Sequence, residues 1–164
     1  MPATGKLVPT GPTVTVQFER TVPAQPEQVW AALTEPTLLE GWLTQAEFEP
    51  AEGGKVHLVW PDGQGEMHGS VTKYVPHREL EYSWNESSGT SLLRFEVEPA
   101  TEGSTLRLEH FGTSPEDAPG FGAGWQSHLE ALDVVLSGAT PPAEDRDARY
   151  HELRAEYESQ LETI

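Results

Sequence analysis

The sequence contains no cysteine, which excludes disulfide bonds, thiolate metal sites and cysteine nucleophiles. Basic residues are scarce as well: 10 Lys and Arg stand against 27 Asp and Glu, giving a formal net charge of −17. Because phosphate groups are bound by basic patches, this balance argues against nucleic acid and against anionic membranes as partners. Long apolar runs are also missing. Without about 18 consecutive apolar residues, the sequence predicts no membrane-spanning helix.

The 164 residues are enough for one domain with its own hydrophobic core. The opening stretch, MPATGKLVPTGP, is rich in Pro and Thr and has no apolar face, so residues 1–12 are expected to be a flexible leader. This stretch also lacks the apolar segment of a secretory signal, and the expected location is therefore the cytoplasm. The domain itself is expected over 13–138, followed over 139–164 by a linker and an appended amphipathic helix.

Short segments of alternating apolar and polar residues indicate strands with one buried face. The first covers 13–22, another begins at Trp42 and covers 42–49, and further segments follow at hairpin spacing up to residue 110. Three late segments carry an apolar or aromatic residue at every second position: Leu80-Tyr82-Trp84, Leu93-Phe95-Val97 and Leu106-Leu108-His110. This order predicts a mainly antiparallel sheet whose apolar face packs against a helix.

Helical periodicity occurs both before and after these strands. The stretch PEQVWAALTE predicts a short helix that ends at Pro36, and a second short helix is expected over 37–41. Increments of four, four, three and four predict one long helix with the apolar stripe Phe121, Trp125, Leu129, Leu132 and Leu136. A final helix over 143–161 carries its own stripe, which docks either on this domain or on another chain. Strands in series flanked by helices predict the α+β class.

Three stretches of the sequence share their order and character with a known family. They are VPAQPEQVWAALTEPTLLEGWL, GQGEMHGSVTKYVPHRELEYSW and GWQSHLEALDVVLSG. The matching residues of the first are Pro26, Val29, Trp30, Ala32, Leu33, Thr34, Pro36 and Trp42. Over 14–138 the chain resembles START-like domains of the SRPBCC superfamily, and more narrowly the homologues of the activator of the heat-shock-protein-90 ATPase.

This resemblance implies a helix-grip fold, in which a curved antiparallel sheet of about seven strands surrounds a long C-terminal helix. It also implies a cavity between helix and sheet that suits a small apolar molecule. The fold alone does not define a function, since it serves carriers, cyclases, hydroxylase components and chaperone regulators.

Aromatic side chains dominate the candidate binding residues. The residues expected to face the interior or to close its ends are Trp42, Trp60, Tyr82, Trp84, Phe95, His110, Trp125, His128, Leu129 and Leu132. An apolar lining with a few polar anchors is typical of ligand pockets, and His110 and His128 are the candidate anchors. The same residues could instead fill the interior as a packed core, and both interpretations stay open at this point.

Motifs for catalysis and metal binding are missing from the sequence. The six histidines form no HxxxH or HExxH pair, so no metal site and no cofactor are predicted. No G-x-S-x-G elbow is present, and no catalytic residue is assigned. The polar groups that could orient a reactive substrate in the interior are few: Tyr82, His110 and His128, with Glu66 or His68 as further candidates.

The leading hypothesis is a cytoplasmic domain that binds a small hydrophobic or aromatic molecule and has no catalytic centre. One alternative is a protein-interaction module resembling the chaperone ATPase activator homologues, whose partner would present a basic patch to this acidic chain. A second alternative is an enzyme of the cyclase or dehydratase type. An open interior with convergent polar groups favours binding or catalysis, whereas a filled core favours the interaction module.

Overall fold

The structure, a computed structural model, describes residues 4–61, 65–86, 89–141 and 146–162. The strands are β1 (Lys6–Thr10), β2 (Thr13–Val22), β3 (Gln45–Phe48), β4 (Lys55–Trp60), β5 (Gly65–Val75), β6 (Glu79–Glu86), β7 (Gly89–Ala100) and β8 (Gly103–Thr113). The helices are α1 (Pro26–Thr34), α2 (Pro36–Trp42), α3 (Ala118–Leu136) and α4 (Arg146–Glu162). Within the described residues, no helix is both long enough and apolar enough to cross a membrane.

All the strands belong to one antiparallel sheet with the order β1-β2-β8-β7-β6-β5-β4-β3. Strands β3 to β8 each pair with their neighbour in sequence, and β2 pairs with β8. The sheet curves around α3, and α1 and α2 connect β2 to β3. This is the α+β helix-grip architecture that the sequence predicts, with eight strands among the described residues instead of about seven.

One face of the central strands forms the core with α3. The three alternating sets predicted from sequence, on β6, β7 and β8, are all at most 4% exposed. From the helix, Trp125, Leu129 and Leu132 are at most 3% exposed and face the sheet. The period-two pattern is confirmed over these three sets, where the intervening positions carry Glu, Arg and Ser. Beyond the sets, the half-buried Leu92 and Phe111 pair with each other on the outer face.

Residues 6–10 form strand β1, where the sequence predicts a flexible leader. The strand pairs with β2, and Leu7 is 3% exposed. The N–H of Gly5 donates a hydrogen bond to the hydroxyl of Tyr157 over 2.9 Å, so α4 holds the start of β1 in place. Composition conceals this strand because Leu7 is its one buried side chain, and because its contacts to Tyr157 and Gln160 on α4 lie about 150 residues away.

Trp42 closes helix α2, although the sequence places it at the start of a strand. The indole N–H of Trp42 donates to the carbonyl oxygen of Ala32 over 2.8 Å, and the N–H of Leu43 bonds back to Leu39. The first bond fixes Trp42 against α1, the second extends the helical turn of α2, and β3 begins only at Gln45. The apolar alternation after Trp42 therefore starts three residues later than the sequence predicts.

Helix α4 docks on the domain through its predicted stripe. Leu153 and Tyr157 are fully buried, and the hydroxyl of Tyr157 donates to the side-chain oxygen of Gln126 on α3 over 2.7 Å. Gly122 makes room for the Tyr157 ring, since a Cβ at Gly122 would lie 2.9 Å from that ring. The sequence left open whether this helix packs on its own domain or on another chain, and in the structure it packs on its own domain.

Replacing Tyr157 with Phe is expected to lower the free energy of unfolding by about 1–2 kcal/mol, because the buried N–H of Gly5 loses its acceptor. Urea unfolding followed by circular dichroism measures this loss. Tyr150→Phe is the matched control, since the Tyr150 hydroxyl lies 3.5 Å from Arg154 in an exposed contact. Equal losses in the two variants would contradict the proposed role of the Tyr157 hydroxyl.

Candidate functional site

Aromatic rings converge between α3 and the inner face of β6–β8. Trp84 lies at their centre, with its ring centroid 5.3 Å from that of Trp125, 5.5 Å from His110 and 6.0 Å from Trp60. We call seven of the interior rings the aromatic cluster: Trp42, Trp60, Trp84, Phe95, His110, Phe121 and Trp125. Most pairs meet edge to face, the arrangement that aromatic quadrupoles favour.

His110 is the polar centre of this cluster. It is fully buried on β8, and its Nδ1 accepts a hydrogen bond from the indole N–H of Trp125 over 2.9 Å. An accepting nitrogen carries no proton, so the proton of the neutral ring is on Nε2. Nε2 then donates to the hydroxyl of Ser91, 2.7 Å away. Burial lowers the pKa of His110 from 6.5 to about 3, which keeps the ring neutral at physiological pH.

The other predicted polar anchor, His128, occupies a different place. It is half-buried on α3, and its Nδ1 lies 3.1 Å from the carbonyl oxygen of Trp42, at the contact between α3 and α2. Its ring also meets Trp125, with centroids 6.0 Å apart. His128 thus borders the aromatic cluster on the α2 side, while His110 lies within it.

Tyr82 completes the inward set on β6. Its ring meets Phe48 at 6.1 Å, and burial raises the pKa of its hydroxyl far above the ordinary value, so the group stays neutral. Leu129 and Leu132 lie on the same inward stripe of α3 as Trp125. Ser91 and Phe121 also belong to this interior, and the candidate list from sequence omits both. Strand phase was the available signal for Ser91, because it shares the inward phase of Leu93 and Phe95 on β7, and the helical stripe already contained Phe121.

The aromatic cluster reaches the surface at one end of the sheet. Trp60 and Phe121 are only half-buried, and both rings contact the buried ring of Trp84. Trp60 ends β4 and Phe121 lies in the first turn of α3, so both stand at the end of the sheet where α3 begins. The other five members of the cluster are buried, so these two rings are the part of the cluster that solvent touches.

A second group of chemistry-bearing side chains lies on the outer face of the sheet. His57 on β4 and His68 on β5 are register partners, and their rings stack 4.2 Å apart. The carboxylate oxygens of Glu66 lie 3.0 Å from Nε2 of His57 and 3.5 Å from Nε2 of His68. Hydrogen bonds from His57 and then His68 lower the pKa of Glu66. We call these three residues the outer trio.

The position of the outer trio corrects one expectation from sequence. Glu66 and His68 are exposed, so they do not serve as inward polar groups. The sequence search missed the trio because it looked for histidines on one element, whereas a hairpin turn separates His57 from His68. The available signal was strand phase, since the neighbours Val56 and Met67 point inward and are fully buried.

An antiparallel sheet gripping a long helix over an aromatic interior defines the class of the protein: a START-like helix-grip domain. The sequence profile of the family described as "Activator of Hsp90 ATPase homolog 1-like protein" matches residues 23–137. The chain belongs to this family. The resemblance predicted from sequence is confirmed. A search of curated protein sequences gives no match.

Solved structures share the fold. Protein MLL2253 from Mesorhizobium loti is 31% identical over 77% of this chain and 99% of its own, with a TM-score of 0.71. CalU16 from Micromonospora echinospora is 23% identical over 96% of this chain and 94% of its own, with a TM-score of 0.79. EF2215 from Enterococcus faecalis, described as a conserved protein of unknown function, is 22% identical over 95% and 91%, with a TM-score of 0.75. The last two similarities extend beyond residues 23–137 into the terminal segments.

Proposed function

We propose that the chain binds a small, uncharged aromatic or hydrophobic molecule between the sheet and α3, without catalysing a reaction. The observation that carries this proposal is the buried, neutral imidazole of His110 with its hydrogen-bonded partners inside the aromatic cluster. Burying polar groups in an apolar interior is unfavourable unless each group is hydrogen-bonded. A core made only of aliphatic side chains would contain no such groups. The hydroxyl of Ser91, the indole N–H of Trp125 and the imidazole of His110 are the polar groups that a ligand in this interior would meet.

The first turns of α3 provide a way to open this interior. Gly120, Gly122 and Gly124 fall within this part of the helix, and each glycine weakens a helix by about 1 kcal/mol relative to alanine. Gly122 is required by the close approach of Tyr157, but a Cβ at Gly124 would meet no atom within 4 Å. The glycine at 124 is therefore not needed for packing. Its presence keeps the segment that carries Phe121 easy to displace.

Binding of N-phenylnaphthylamine, an uncharged aromatic dye, tests the proposal. We expect saturable dye fluorescence, and a loss of affinity of roughly two- to tenfold in Trp60→Ala, because an aromatic contact contributes about 0.5–1.5 kcal/mol. Trp60 is half-buried, so the variant is expected to stay folded. Fluorescence titration of parent and variant, with circular dichroism to verify folding, gives the comparison.

Tyr74→Ala is the matched control for Trp60→Ala. Tyr74 is also a half-buried aromatic residue on the sheet, but it lies at the opposite end of β5 and packs against Trp30. Its replacement should leave the dye affinity unchanged. An absence of saturable binding, or equal effects of the two substitutions, would contradict the proposal and favour a protein-interaction role for this family member.

A further inference from the structure

The outer trio has the donor set of a metal centre. Two imidazole nitrogens and one carboxylate form a mixed set that suits transition metals, whereas Mg²⁺ and Ca²⁺ take oxygen ligands. We propose that Nε2 of His57, Nε2 of His68 and the carboxylate of Glu66 bind one divalent transition metal ion, with Zn²⁺ as the preferred ion. This site lies on the opposite face of the sheet from the aromatic cluster and does not depend on the function proposed above.

The distances between the donor atoms fit such an ion. With tetrahedral geometry and bonds of ~2.0–2.2 Å, two ligand atoms lie ~3.4 Å apart. The carboxylate oxygens of Glu66 lie 3.0 Å and 3.5 Å from the two imidazole Nε2 atoms. One donor atom from each of the three residues lies within 4.8 Å of the other two. Small side-chain rotations are therefore enough to place one ion between them.

The backbone holds the donors in place. Strands β4 and β5 pair in unbroken register from Lys55↔Ser70 to Trp60↔Gly65, which makes His57 and His68 direct cross-strand neighbours. Glu66 is two residues before His68, so both side chains project from the same face. The intervening Met67 is fully buried in the core and anchors this part of β5. A rigid frame of this kind reduces the entropy lost when the donors gather around an ion.

The surroundings favour a cation and leave room for further ligands. His57 also lines a surface groove of about 440 Å³ between α2 and strands β3 and β4, and Glu40 and Glu47 line the same groove. Their negative charge, together with the net charge of −17, attracts cations to this side of the molecule. Three protein donors leave coordination positions open to water or to a small ligand in the groove.

This proposal revises the sequence prediction of no metal site. That prediction rested on the spacing of histidines within single elements, which is informative for helical sites such as HExxH. In a sheet the donors of one site come from neighbouring strands, and their separation along the chain depends on the length of the turn. The relation between His57 and His68 becomes visible only once the register of β4 and β5 is known.

Isothermal titration of ZnCl₂ into the full, chelator-treated chain without a histidine tag tests the site. We expect one Zn²⁺ per chain, and His57→Gln and His68→Gln should each weaken binding by at least about tenfold, as loss of even a supporting group costs that much. His151→Gln, which changes an exposed histidine on α4, is the control and should bind like the parent. Circular dichroism confirms that the variants are folded.

Cobalt provides a second readout. Co²⁺ bound by the trio should give visible d–d absorption that Zn²⁺ abolishes by displacement and that His68→Gln lacks. The proposal is overturned if the parent binds no Zn²⁺. It is equally overturned if His57→Gln and His68→Gln bind Zn²⁺ as tightly as the parent, because the ion then occupies other residues.

Discussion

Replacing Trp84 with alanine is expected to lower the free energy of unfolding by about 3–5 kcal/mol, the usual cost of truncating a buried tryptophan. Trp84 is 4% exposed and its ring contacts four others of the aromatic cluster, so the packing of the interior depends on it more than on any peripheral ring. For a domain of this size the melting temperature should fall by roughly 10 °C. Urea and thermal unfolding followed by circular dichroism measure both quantities.

Trp60→Ala is the control for this substitution. It removes the same side chain from a half-buried position in contact with Trp84, so much of the lost ring surface is already in water and the loss of stability should be less than half as large. Free indole should partly restore the stability of Trp84→Ala by occupying the space left behind. If both variants lose the same stability, Trp84 is not the centre of the cluster.

Lowering the pH from about 7 to about 5 is expected to remove about 2 kcal/mol of stability through His110 alone. The pKa of His110 is about 3 in the folded chain and 6.5 in the reference state, so the unfolded state takes up a proton first as the pH falls. The contribution of His110 to the free energy of unfolding is fully present above pH 6.5. It decreases by about 1.4 kcal/mol per pH unit from there down to the pKa of His110 in the folded chain. Acidification therefore lowers the free energy of unfolding.

His110→Gln separates this effect from all other titrations. Glutamine keeps polar atoms near Trp125 and Ser91 but cannot be protonated in this range, so its stability should change less between the two pH values. Contributions from carboxyl groups are common to both proteins and cancel in the comparison. Urea unfolding at several pH values gives the two slopes, and parallel slopes would show that His110 is not held neutral by burial.

The central architecture could be predicted from sequence because its signals are local. The alternation on β6, β7 and β8 and the stripe on α3 each lie within one element, and each element has one apolar face. Strand β1 could not be predicted, since its stability depends on hydrogen bonds to Tyr157 and Gln160 at the other end of the chain. The helical position of Trp42 likewise depends on a bond to Ala32, which alternation does not reveal.

The candidate site was predictable to a similar degree. Strand phase identified the buried position of His110, but its hydrogen bond to Ser91 joins two strands through a register that only the structure supplies. His128 shares the helix of Trp125, yet its bond to the backbone of Trp42 depends on how α2 packs against α3. Side chains that act across elements require the tertiary arrangement, and periodicity within one element cannot supply it.

The central claim is that an aromatic ligand binds within the aromatic cluster, and the indole N–H signals of the protein test it directly. The chain has five tryptophans, so a ¹⁵N–¹H correlation spectrum should show five indole signals, assigned by single Trp→Phe variants. On titration with N-phenylnaphthylamine, we expect saturable shifts of the signals of Trp84 and Trp125. Trp30, which packs on Tyr74 outside the cluster, should not respond. If the indole signals of Trp84 and Trp125 do not shift, or if the signal of Trp30 shifts as much as they do, an aromatic ligand does not bind within the aromatic cluster.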